Sequence, residues 1–174
     1  MLLDPTILAP AVLDEVREAR RRGVMSRMPL VEGARRRRNR FASVEEAYES
    51  WREKPLFARW PDATLRLYAQ SMTRPAGDGD GVELAWTREW EAYYYETLFA
   101  ESWAEAAKLS AEIPLLVLVG EESTTVQPES VVEMRRVWPW AEIGTIPGHG
   151  HLFPQEMGAA AGETVREWLG RLDL

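Results

Sequence analysis

Ile113-Pro-Leu-Leu-Val-Leu-Val119 is apolar almost without interruption and stops at Gly120. A run of this kind marks a strand buried on both faces, as in the middle of a parallel sheet. Downstream, Pro128 to Val137 reads as an amphipathic helix carrying Val131, Val132, Met134 and Val137. Ala141-Glu-Ile-Gly-Thr-Ile146 reads as a second strand, and Gly162 to Leu172 as a closing helix. Strand, helix, strand, helix implies a right-handed parallel crossover. The fold class read from this stretch is α/β.

Between the second strand and the last helix lies Pro147-Gly-His-Gly-His-Leu-Phe-Pro-Gln-Glu156. His151 is therefore expected on a loop at the C-terminal edge of a strand, where open α/β sheets place their sites. Gly148 and Gly150 allow the tight backbone path that aims an imidazole into a cleft. The plainer alternative is a surface loop with two incidental histidines. His149 and His151 as a metal pair is a poor reading, because they lie two apart with no third ligand nearby, and no metal site is expected.

Working toward the N-terminus, the chain changes character. Met1-Leu2-Leu3, running into Asp4-Pro5, reads as the end of a sheet strand whose upstream partners are absent. Pro10 to Arg22 has helical spacing and stops at Gly23. Ser43-Val-Glu-Glu46 is a capping box opening a helix that turns Ala47, Tyr48 and Trp51 inward. Asp62 is read as the cap of a third helix bearing Leu65, Leu67, Tyr68 and Met72. Pro75 to Gly81 is loop by composition, Val82 to Trp86 a short strand, and Thr87 to Leu98 a helix loaded with Trp90 and Tyr93 to Tyr95. The basic run Arg35-Arg-Arg-Arg-Asn-Arg40 could hold an anionic group, but such runs more often lie solvated or pair with nearby acids.

The stretch from Ile113 to Leu174 resembles the last two strands and helices of the α/β-hydrolase family. The motif Gly-x-Gly-His-x-x-Pro-x-Glu is matched by Gly148, Gly150, His151, Pro154 and Glu156. The resemblance implies that His151 is a general base, activating a nucleophile or a water. Residues 1–5 then look like the end of a core strand, 6–110 like a helical cap region, and 111–174 like the C-terminal core segment. The resemblance is specific at the C-terminus and only compositional in the cap. Beneath such a cap, Trp86, Trp90 and Tyr94 would line a substrate pocket; plain packing between cap helices is the competing reading.

Two departures from the family pattern matter. The acid often follows the penultimate strand as Gly-Glu-x-Asp, but here the sequence is Gly120-Glu121-Glu122-Ser123. Serine can accept from an imidazole, yet it lacks the charge that stabilises imidazolium. Some members place the acid after the sixth strand, where Asp4 stands; Glu121 and Glu122 are weaker candidates. Second, no Gly-x-Ser-x-Gly elbow occurs anywhere in the 174 residues. Loss of the nucleophile alone costs a factor of about 10⁶ in turnover.

Bulk composition narrows the rest. With 45% hydrophobic and 28% charged residues the chain reads as an ordinary globular protein. A net charge of −7 argues against nucleic acid as a partner. The absence of cysteine excludes disulfides, thiolate metal sites and a cysteine nucleophile. No apolar run approaches the roughly 20 residues of a membrane helix, and the N-terminus does not read as a signal peptide. The expectation is a cytoplasmic, cofactor-free, truncated or split hydrolase acting on a small-molecule ester, amide or related substrate, inactive without a nucleophile-bearing half. The alternative is a non-catalytic interaction module that dimerises or binds a partner through an exposed sheet edge.

Overall fold

The computed structural model describes residues 1–172. The last two positions of the segment read as 111–174 lie outside the described residues. The chain runs β1 (Leu2–Leu3), α1 (Pro10–Arg21), α2 (Pro29–Arg36), β2 (Arg40–Phe41), α3 (Val44–Arg52), α4 (Asp62–Met72), β3 (Thr73–Pro75) and β4 (Val82–Leu84). It continues through α5 (Arg88–Glu96), α6 (Ser102–Ala106), β5 (Leu116–Gly120), α7 (Pro128–Val137), β6 (Glu142–Ile146), α8 (Phe153–Glu156) and α9 (Gly158–Leu169). Two compact units result, one of Met1–Glu18 with the chain from Phe99 onward, the other of Ala19–Leu98. No helix among the described residues is long and apolar enough to cross a membrane.

The first unit holds a parallel sheet in the order β1-β5-β6. Its central strand explains the unbroken apolar run. Side chains alternate across a strand, and Leu115, Val117 and Val119 pack with Val126, Met134 and Trp138 on one face. Leu116 and Leu118 pack with Phe153, Ala161 and Trp168 on the other. Both faces are thus covered by helices, and each fully buried leucine or valine contributes roughly 1.5–3 kcal/mol. α9 begins at Gly158 rather than at Gly162 as the sequence reading had it. Ala159, Ala160 and Ala161 extend it toward the N-terminus, since alanine is the strongest helix former.

In the second unit, α1 ends where Gly23 adopts φ 66°. Gly23 N–H donates to Arg20 O (3.0 Å) and Val24 N–H to Ala19 O (3.0 Å), the paired bonds of a Schellman stop. A small antiparallel sheet in the order β2-β4-β3 follows. Ser43 Oγ accepts from Glu46 N–H (3.1 Å) at the start of α3. Asp62 is the first helical residue of α4 and not its cap, a position held by Pro61. Its carboxylate instead accepts from the Tyr48 hydroxyl (3.1 Å) and pairs with Arg52 (3.0 Å). Trp51, Phe57, Trp60 and Tyr68 stack with ring centroids 5.1–6.2 Å apart. Leu67, read as part of the helix's apolar set, is exposed. The basic run is laced to acids: Arg35 to Glu96 (2.9 Å), Arg36 to Glu32 (3.6 Å), Arg37 to Glu91, Arg38 to Glu46 (2.7 Å) and Arg40 to Asp78 (2.5 Å).

Candidate active site

Three parallel strands release their chains at one edge of the sheet, and the candidate residues sit on the three exits. Asp4 follows β1, Ser123 follows β5, and His151 follows β6. Asp4 continues the ladder, its N–H donating to Leu118 O (2.7 Å). It then turns with φ 43°, the one non-glycine residue at positive φ among those described. Aspartate tolerates this left-handed region better than most residues, at a cost of about 1–2 kcal/mol. Such strain persists only where the surroundings over-determine it.

They do so here. Asp4 is 1% exposed. Its Oδ1 accepts from Gly120 N–H (2.8 Å), while Oδ2 accepts from Ser123 Oγ–H (2.6 Å) and meets His151 Nδ1 (2.6 Å). Burial pushes the Asp4 carboxyl up, but the bonds from His151, Ser123 and Gly120, with the attraction of His151, outweigh it and hold the group below its ordinary value. An ionised carboxylate only accepts, so His151 Nδ1 must carry the proton and the lone pair falls on Nε2. The imidazole is about one-third exposed while Asp4 is sealed beneath it.

The loop bearing His151 is seated against the end of β5. A Cβ on Gly120 would lie 2.5 Å from the carbonyl oxygens of both His149 and Gly150, so only glycine allows this approach. Gly148 adopts φ 68° at the turn out of β6. His149 points elsewhere, its Nδ1 lying 2.7 Å from Glu156 Oε2. The two histidines therefore have separate carboxylate partners. No group of three metal-ligating side chains is assembled among the described residues.

The sequence reading had Ser123 standing where the family's acid often lies, able to accept from the imidazole but without the charge of an acid. It is instead a donor to Asp4, and its Oγ accepts from Thr125 N–H (3.2 Å) and Val126 N–H (3.0 Å). The Gly120 amide also went unnoticed, because a backbone donor leaves no mark in a sequence. Glu121 does not reach the imidazole; its Oε2 accepts from Gly148 N–H (2.8 Å). In the second unit, Trp86, Trp90 and Tyr94 are 49%, 61% and 51% exposed. Trp90 and Tyr93 meet edge to face at 5.6 Å, and with Glu89 they line a shallow depression.

No family model and no curated protein sequence matches the chain. Solved structures do. E-2-(acetamidomethylene)succinate hydrolase aligns over 75% of this chain and 47% of its own, with TM-score 0.65 and 17% identity. A peroxisomal α/β-hydrolase of Saccharomyces cerevisiae aligns over 80% and 38%, with TM-score 0.66 and 16% identity. An esterase of Mycobacterium tuberculosis aligns over 97% and 51%, with TM-score 0.61 and 19% identity. The chain has part of the α/β-hydrolase fold, with a parallel sheet and flanking helices. It spans about half or less of the length of these structures.

Proposed function

We propose that Asp4 and His151 are the acid and the general base of an α/β-hydrolase-type reaction on an ester, amide or related bond. The observation that carries the reading is the 2.6 Å contact between His151 Nδ1 and a buried, multiply hydrogen-bonded Asp4 at the C-terminal edge of parallel strands. With Nδ1–H committed to Asp4, Nε2 is left to take a proton from a nucleophile's hydroxyl, or from a water attacking a covalent ester. The imidazolium so formed is stabilised by the Asp4 charge, and the proton is later returned to the leaving group. The buried carboxylate holds both the tautomer and the ring orientation.

The sequence holds no elbow nucleophile. In this reading the nucleophile and the oxyanion-hole amides come from a complementary polypeptide segment, and the chain alone does not turn over. Trp86, Trp90 and Tyr94 are assigned to binding the apolar part of a small-molecule substrate, with no metal or cofactor called for. The test mixes the chain with a nucleophile-bearing α/β-hydrolase half and follows a p-nitrophenyl ester. Hydrolysis above background that disappears in His151→Ala is expected. Absence of hydrolysis, or a rate indifferent to His151→Ala, removes the reading.

A second reading, a non-catalytic module that dimerises or recruits a strand, rests on β1 being an end strand of the three-stranded sheet. Light scattering separates the two: a stable dimer of the lone chain favours the module, a monomer disfavours it.

A further inference from the structure

We propose that His149 and Glu156 form a positioning pair that closes the loop around His151 and holds its imidazole against Asp4. The inference rests on His151 being the base, and adds two residues that touch no reacting atom.

The backbone of the loop is pinned on one side at residues 146, 148 and 149, and Phe153 N–H donates to Gly150 O (3.1 Å) across His151. Glu121 N–H donates to Ile146 O (2.9 Å), Gly148 N–H to Glu121 Oε2 (2.8 Å), and Glu122 N–H to His149 O (2.9 Å). On the other side the anchor is α8, whose Phe153 is fully buried against Leu116 and Leu118. His151 hangs between these two anchors. The His149 side chain spans them, reaching Glu156 on α8 at 2.7 Å and enclosing His151 within a ring of eight residues. The Glu156 side chain is 9% exposed and that of His149 30%. A carboxylate so covered is costly unless partnered, so the bridge is the arrangement that α8 favours.

A base must be held within about half an ångström of its working position. Asp4 fixes one nitrogen of the ring, while the backbone that carries the ring is tied across by the Phe153 N–H bond to Gly150 O and, through side chains, by the bridge. Removing the bridge takes away one of the two ties across His151 while leaving Asp4, Ser123, Gly120 and the Phe153–Gly150 bond untouched.

The chain has two histidines, so nitrogen-15 imidazole spectra of the full-length protein resolve each ring. The readout is exchange with water of the His151 Nδ1 proton, with the Val117 amide of β5 as the control for global opening. Glu156→Ala and the more exposed His149→Ala should each speed that exchange about tenfold, as for a lost hydrogen bond. The double variant should add nothing beyond either single change. No change in either variant, or equal acceleration at Val117 in both, overturns the positioning role. A wild-type His151 with no protected Nδ1 proton, or one insensitive to Asp4→Asn, instead overturns the base assignment on which it rests.

Discussion

Ser123 Oγ lies 2.6 Å from Asp4 Oδ2, the same oxygen that receives His151 Nδ1–H. The serine thus serves the acid and does not replace it. Ser123→Ala removes one donor to Asp4 and one acceptor for the Thr125 and Val126 amides. It should lower unfolding stability in urea by about 1–3 kcal/mol, as expected for buried groups left unpaired. Ser123→Asp, which installs the residue that the family often carries there, should be worse at neutral pH. Two carboxylates at that separation cannot both ionise, so the deficit should shrink as the medium is acidified.

Asp4 sets an acid limit on the fold. Burial alone would raise its carboxyl, but the hydrogen bonds from His151, Ser123 and Gly120 hold it below 3.8. A group whose folded value is lowered contributes stability that is complete above its unfolded value. That stability is lost as the pH falls through the folded one. The wild type should therefore lead Asp4→Asn at about pH 5. The margin should narrow below pH 3.8, which urea midpoints across the acid range would display.

Two glycines of the site should respond differently to alanine. At Gly120 the added carbon meets two backbone carbonyls at 2.5 Å. Backbone cannot yield cheaply, so the loss should lie at or above the upper end of the roughly 1–3 kcal/mol typical of overpacking. At Gly148 nothing lies within 4 Å of the added carbon, and only the positive φ is strained. The loss there should be about 1–2 kcal/mol. Urea titrations of the two variants test the order.

The arginine run offers a comparison of exposed and sheltered charge. Arg36 and Glu32 are 73% and 47% exposed, whereas Arg37 and Glu91 are 24% and 21% exposed. Arg36→Ala should change stability by no more than about 0.5 kcal/mol. Arg37→Ala strands a sheltered carboxylate and should cost about 1–3 kcal/mol. Equal effects in urea would count against that difference in shelter.

The legibility of the sequence followed the physics of each element. β5 was plain because both of its faces are covered, which forces an uninterrupted apolar run. The His151 loop was plain because a glycine-rich turn after a strand has few other uses. Asp4 was found through resemblance, as Asp-Pro at a strand end is also an ordinary turn. α2 was missed because its Pro29 start precedes a run of arginines that drew the reading to charge, although Val31 and Ala34 are buried. β2 and β3, two and three residues long, are too short to show a period. The service of Ser123 to Asp4 was not legible because the direction of a hydroxyl depends on which acid lies beside it, and Asp4 is 119 positions away in the chain.

The central claim concerns which nitrogen of one ring holds a proton. Nitrogen-15 shifts of the His151 imidazole at neutral pH distinguish the two neutral tautomers directly. The expected result is the Nδ1–H form in the wild type and in Ser123→Ala, with its loss in Asp4→Asn. An Nε2–H ring in the wild type would leave His151 no lone pair facing a nucleophile and would contradict the account.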